Sequence, residues 1–163
     1  MRNSTRAAQV ASAALGVAIA ISAGAIVLFS ISAQQPTKTT EFFLLDANGM
    51  TSNYPIRLQV GQPGNVQFVV RNRELGSISY TARIDLVGIQ VLQNQTTGRN
   101  ETLEKNRTTL SIFNRTLFDG EEWTQPYQFA ISSVGTWQVQ FLLFRLDTGP
   151  NPYRQVRLGV QVV

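Results

Sequence analysis

Apolar residues run without a single charge from Val10 to Ile31, and from Glu41 to the end of the chain they instead alternate with polar residues at every second position. The first pattern predicts one membrane helix, because those 22 residues rise about 33 Å at ~1.5 Å each and so match a hydrocarbon core ~30 Å thick. A signal-peptide core is shorter, about 7–15 residues. Cleavage after Ala33 is the alternative, with Ile31 a poor small residue at its −3 position. Arg2 and Arg6 precede the run and no basic cluster follows it closely, which by the positive-inside rule keeps the N-terminus in the cytoplasm.

The second pattern predicts strands joined by tight turns, since period-two alternation buries one face of a strand and no helical period competes. Ile56, Leu58 and Val60 alternate with Arg57 and Gln59, and Val66, Phe68 and Val70 follow a turn at Gly61-Gln-Pro-Gly64. Ile78, Tyr80, Ala82, Ile84 and Leu86 face one way, while Ser79, Thr81, Arg83 and Asp85 face the other. Trp123, Tyr127, Phe129 and Ile131 continue the theme, as do Val156, Leu158, Val160 and Val162. Phe141 to Phe144 is apolar on both faces, which marks a central strand or one whose outer face meets something. Asp46-Ala-Asn48-Gly49 and Asp119-Gly120 carry hairpin chemistry. Residues 94–108 lack apolar periodicity and read as a surface loop leading into a strand near Thr109 to Phe118. About eight or nine short strands over ~120 residues predict an immunoglobulin-like antiparallel β-sandwich, with a barrel as second choice. The expected organisation is a cytoplasmic N-terminus (1–9), a transmembrane helix acting as signal anchor (10–33), a polar linker (34–40) and an extracellular sandwich (41–163). The seven-residue linker reaches at most ~25 Å, which holds the domain close to the bilayer.

Along the helix Ala8, Ser12, Gly16, Ala20 and Gly24 recur every fourth residue and share one face. Small side chains at that spacing let a second helix approach closely, although an alanine-rich helix also produces such rows by chance. The candidate packing residues are Ser12, Gly16, Ala20 and Gly24.

Composition removes most chemistry. Cysteine and histidine are both absent, so there is no disulfide frame, no thiolate metal site, no imidazole ligand and no ordinary general base. The net charge is +4, and once Arg2 and Arg6 are set apart the outer part carries only +2, too little for a nucleic-acid footprint. Glu121 and Glu122 look like a carboxylate pair, but neighbours on a strand point to opposite faces. Asp46 with Asn48 begins like a calcium loop yet lacks the later ligands, and reads as a turn. A Ser-Lys pair would have to recruit Lys38 or Lys105, neither of them on a rigid element. The aromatics Trp123, Tyr127, Phe129, Trp137 and Phe141 could stack on a sugar, but strand spacing favours the core.

One modification pattern does stand out. Asn94-Gln-Thr, Asn100-Glu-Thr, Asn106-Arg-Thr and Asn114-Arg-Thr are four N-glycosylation acceptors among the nine asparagines that follow the helix, where a Ser/Thr frequency of about one in six gives one or two. Asn3-Ser-Thr also matches but belongs to the cytoplasmic side.

Taken in order, Glu41-Phe-Phe-Leu-Leu-Asp46 with Asn48-Gly49, Asn53-Tyr-Pro55, Leu58-Gln-Val-Gly-Gln-Pro-Gly64, Val70-Arg-Asn72 with Glu74, Asp119-Gly-Glu-Glu-Trp123, Phe141-Leu-Leu-Phe144 and Tyr153-Arg154 resemble an archaeal membrane-anchored family, domain of unknown function 1616. The family pattern carries a histidine at the place of Arg73 and His-Leu-Trp at Arg157-Leu-Gly159. The resemblance implies a compact immunoglobulin-like ectodomain outside the membrane and lends no catalytic residue. The resulting expectation is a non-enzymatic, N-glycosylated interaction domain at the cell membrane, an accessory subunit of a membrane or envelope assembly, with a glycan-binding or adhesive surface module as the alternative. Its partners would be membrane lipid and either a membrane protein or a second copy of the chain. Neither nucleic acid nor a small-molecule substrate is expected, and N-linked glycans stand in place of any cofactor or metal.

Overall fold

The computed structural model describes residues 39–93 and 100–163, and for Gln93, Asn100 and Glu101 the backbone alone. The expected membrane helix with its row Ala8, Ser12, Gly16, Ala20 and Gly24, linker residues 34–38 and Asn94 lie outside the described residues. Among the described residues no helix is long and apolar enough to cross a membrane.

Eight strands form the domain: β1 (Glu41–Asp46), β2 (Arg57–Leu58), β3 (Pro63–Arg71), β4 (Ile78–Gln93), β5 (Asn100–Leu117), β6 (Glu122–Ala130), β7 (Gly135–Arg145) and β8 (Arg154–Val162). They make a three-stranded sheet, β1-β3-β6, and a five-stranded sheet, β2-β8-β7-β4-β5. All pairings are antiparallel except β2 with β8, a short parallel contact at Arg57 and Leu58.

The alternation read from the sequence becomes the inner face of each sheet. Val66, Phe68 and Val70 of β3 meet Tyr80, Ala82 and Ile84 of β4, with Val139, Phe141 and Leu143 of β7 and Leu158, Val160 and Val162 of β8. Phe68 sits at the centre. Its ring centroid lies 6.3 Å from Phe42, 5.8 Å from Phe113, 5.1 Å from Trp123 and 6.2 Å from Phe141, so one side chain touches aromatic rings from both sheets, in tilted or edge-on arrangements that suit their quadrupoles. Gly64 is required by this packing. A Cβ there would stand 2.6 Å from the Phe129 ring that pairs with it across the strands. Phe141 to Phe144 falls on β7, the middle strand of the larger sheet, which is why both of its faces are covered.

Three expectations need correction. Ile56 and Val60 are exposed and only Leu58 is buried, because β2 is a two-residue strand at the edge of its sheet; the turn itself runs from Gln59 to Gln62, with Gly61 at φ +76°. Residues 100–108 belong to an 18-residue strand, not to a loop. Their polar sequence hides it because β5 is an edge strand with much of its surface in solvent, so burial imposes little apolar alternation. Asp85, read as solvent-facing, does point to the outer side of its sheet, yet it is completely covered. Arg107 Nη1 donates to its Oδ2 at 2.9 Å and Thr109 Oγ1 to its Oδ1 at 2.9 Å, while Arg83 Nε stands 3.2 Å away as an ion pair.

Replacing Phe68 by alanine is expected to cost about 3–5 kcal/mol, as large-to-small changes in a closed core do. Replacing the exposed Phe118 by alanine should stay within about 0.5 kcal/mol. Urea unfolding of the two variants compares them directly.

Candidate functional site

Strand direction places four segments at one end of the sandwich: the entry of the chain at Thr39 and Thr40, and the loops 72–77, 118–121 and 146–153. Loops at a sheet end normally vary freely, but these are bound to one another by buried polar groups. Asn72 is the first node. It is fully buried, and its Nδ2 donates to Gly76 O at 2.7 Å and Leu117 O at 2.9 Å while its Oδ1 accepts the Glu74 N–H at 3.0 Å. Its backbone N–H donates to Glu121 O and its carbonyl accepts the Gly120 N–H, at 3.0 and 2.8 Å. A single asparagine thus uses donor and acceptor groups alike to join the 72–77 and 118–121 loops, as a buried polar residue must if its burial is not to be costly.

Glu74 is the second node. Its Oε1 accepts from Thr40 Oγ1 at 2.9 Å and from Tyr153 Oη at 2.7 Å, and Arg145 Nη1 lies 3.2 Å from its Oε2. Thr40 Oγ1 also lies 2.7 Å from Tyr80 Oη, whose ring is part of the core. Burial pushes the Glu74 carboxyl up, but the hydrogen bonds from Tyr153 and Thr40 and the charge of Arg145 outweigh it and hold the group below its ordinary value. Arg145 is raised, first by its hydrogen bond to Asp147. Tyr80 is raised by its own burial. The Arg145 and Arg154 guanidinium groups both lie over the Tyr153 ring, at 4.9 and 5.0 Å, and Arg154 Nη2 donates to Thr39 Oγ1 at 2.6 Å. The point where the chain enters is therefore riveted to the 72–77 loop, to the start of β8 and to the core.

The turn chemistry elsewhere does what the sequence implied. Asp46 Oδ1 accepts the N–H groups of Asn48 and Met50, both at 2.8 Å, and so closes its own turn. Glu121 and Glu122 diverge: Glu121 accepts the Phe118 N–H and Glu122 pairs with Arg71. Trp123, Phe129 and Phe141 are in the core, with Tyr127 and Trp137 packed against it. Of the acceptor asparagines, Asn100 opens β5 and Asn106 and Asn114 lie exposed along it. Asn106 falls at a bulge, where it and Lys105 stand opposite Gly88, and Asn114 Oδ1 accepts from Thr81 Oγ1 at 2.7 Å, a bond that leaves the Nδ2 acceptor atom unused.

A family model described as Domain of unknown function (DUF1616) matches residues 33–161. The chain belongs to that family. The DUF1616 match spans both polar nodes, and no curated protein matches the chain. Among solved structures, the solution structure of the CARDB domain of a Pyrococcus furiosus protein is 12% identical with a TM-score of 0.50, over 78% of this chain and 98% of that one. A crystal structure of the same domain in complex with di-metal ions gives 0.49 at 12% identity, over 79% and 98%. A β-glucosidase from Listeria innocua in complex with glucose gives 0.49 at 14% identity, over 78% of this chain and 16% of the enzyme. At such identities the likeness to the CARDB solution structure is one of fold, an immunoglobulin-like sandwich, and extends no further.

Asn72, Glu74 and Tyr153 had no role assigned from the sequence, and Tyr80 only a place on the inner face of its strand. Asn72, Glu74 and Tyr153 stand inside the runs that carry the DUF1616 resemblance, and that was the available signal. Glu74 sets a pH dependence. A carboxylate held below its ordinary 4.5 stabilises the fold fully above that value and stops doing so as pH falls through the lower folded value. Glu74→Gln should therefore lower stability near neutrality and flatten the loss between about pH 5 and pH 3, a difference visible in urea midpoints taken across that range.

Proposed function

We propose that this DUF1616 chain is a non-enzymatic, membrane-anchored and N-glycosylated extracellular interaction domain that serves as an accessory subunit of a membrane or cell-envelope assembly. The observation that carries the reading is the joining of an uncharged 22-residue run, by a short polar linker, to a sandwich domain with three of its four acceptor asparagines, Asn100, Asn106 and Asn114, on one edge strand. In this reading the N-terminus is cytoplasmic and the sandwich extracellular. The row Ser12, Gly16, Ala20 and Gly24 packs against a partner helix, from another membrane protein or a second copy.

Glycans at Asn94, Asn100, Asn106 and Asn114 have a physical task in such a protein. A long edge strand offers a row of unpaired N–H and C=O groups to any passing chain, and β5, the outermost strand of its sheet, is such an edge. Sugars on Asn106 and Asn114 would wall it off, adding to the bulges and to the charges of Glu104, Lys105, Arg107 and Arg115 that already discourage pairing. Protein contacts are left to surfaces away from β5. Sugar binding loses its candidate platform, because the five aromatics proposed for stacking belong to the core or pack on it.

Mass spectrometry of native material should find glycan on Asn106 and Asn114; bare asparagines at all four acceptors would remove the support for an outside location. Chemical crosslinking in native membranes should yield one stoichiometric partner, which Gly16→Leu with Gly24→Leu should release in mild detergent. A chain that stays monomeric throughout rules out the subunit reading.

A further inference from the structure

The loop end organised by Asn72 and Glu74 also presents three large apolar side chains to solvent: Leu75 (57% exposed), Phe118 (70%) and Leu146 (79%). Leu146 and Phe118 are the two most exposed large apolar residues described, and Phe118 is the one exposed aromatic among the described residues. Exposure alone decides nothing, since single surface leucines are ordinary and the opposite end exposes Ile56, Val60 and Val134. Two further observations set this end apart.

The first is that its apolar tips are held rigidly. Leu75 has φ +59°, a left-handed conformation that costs a residue with a side chain about 1 kcal/mol and that Gly76 beside it would adopt freely. Its N–H donates to Asp119 Oδ1 at 3.0 Å, which ties it to the neighbouring loop. Phe118 is fixed by the Glu121 carboxylate on its N–H at 2.9 Å and by a turn closed by the Glu121 N–H on Phe118 O at 3.0 Å, with Gly120 at φ +76°. Leu146 is held by its N–H on Ser79 O at 3.3 Å. A strained backbone that keeps a leucine pointing outward calls for a reason beyond the fold.

The second is where the chain comes in. Thr39 enters at this same end, its N–H donating to Arg73 O at 3.3 Å. The uncharged run ends at Ile31, eight residues earlier, a reach of at most ~28 Å.

We propose that this end is a lipid-contacting surface, with Leu75, Phe118 and Leu146 seated in the interfacial layer of the bilayer that holds the N-terminal run. The proposal rests on the membrane reading of residues 10–33. The occupant is the apolar and interfacial part of a zwitterionic membrane rather than an anionic headgroup, because three of the four arginines here are already paired and carboxylates outnumber arginines. Arg71 pairs with Glu41 and Glu122, Arg73 with Glu41, and Arg145 with Glu74 and Asp147. Tyr153 with Arg154 lying over it adds the amphipathic ring and snorkelling cation that such layers favour. The domain would then stand on its membrane on a rigid three-point foot, which fixes the orientation of the surfaces left for a protein partner.

The chain has no cysteine, so single labels are specific. The full chain would be reconstituted in phosphatidylcholine vesicles and labelled with an environment-sensitive fluorophore, one site at a time, at Leu75→Cys, Phe118→Cys, Leu146→Cys, Val134→Cys and Ala20→Cys. The three foot labels should be at least ~3-fold better shielded from a water-soluble quencher than the label at Val134, should be quenched by a lipid-borne quencher, and should behave alike at 0.15 and 1 M salt. Phe118→Ser should weaken lipid quenching of the label at position 75. If the label at position 20 is quenched from the lipid while the foot labels stay as wet as the one at 134, the foot is wrong and the anchor stands. If the label at position 20 is itself in water, the anchor fails and the foot falls with it.

Discussion

Burial between two unequal sheets holds this domain with neither disulfide nor imidazole-bound metal to add to it, because the chain has no cysteine and no histidine. Phe68 is the point at which that burial is concentrated. It stands on the middle strand of the small sheet and reaches rings on β1, β5, β6 and β7, so the two sheets cannot shift relative to each other without separating several aromatic pairs at once. The glycine at position 64 and the double-faced apolar run of β7 both serve that arrangement.

The inequality of the sheets has consequences. The larger one ends in an 18-residue edge strand and shows an outer face that the smaller sheet cannot cover. The structure meets this with polar chemistry. Asp85 and Gln140 are buried on that outer face, and Arg107 from β5 donates to both, at 2.9 and 3.0 Å, while also pairing with Glu104. A buried carboxylate is tolerable only when it is fully bonded. Here the same arginine that satisfies it also fastens the exposed strand to the sheet. Arg107 is moreover the middle residue of one glycosylation acceptor, so the strand that would carry sugar is also fastened by charge beside one of its acceptors.

At the chain-entry end the polar groups do different work. Asn72 and Glu74 convert three loops and an entering segment into one rigid surface, and the side chains left pointing out of it are apolar. The fold needs these polar groups but not the apolar surface they hold out. On a membrane-anchored DUF1616 protein it would give the domain a defined stance, and so would convert a tether into a mounting.

The strand faces, the central position of Phe141 to Phe144 and the turn at Asp46 were legible in the sequence because each rests on local chemistry: a period of two, an apolar run, an asparagine and glycine beside an aspartate. The uncharged N-terminal run and the acceptor motifs are equally local, and the sequence alone defines them. The short life of β2, the continuation of β5 through a polar stretch and the burial of Asp85 were not legible. Each depends on which strand lies alongside: β2 registers against β8 only at Arg57 and Leu58, β5 exists because β4 offers it a partner, and Asp85 is bonded only once Arg107 arrives from 22 residues away. The meeting of Thr40, Asn72, Glu74, Tyr80 and Tyr153 is of the same kind. Their spacing in sequence carries no period, and they become neighbours only because the strands that bear them begin or end at the same end of the sandwich.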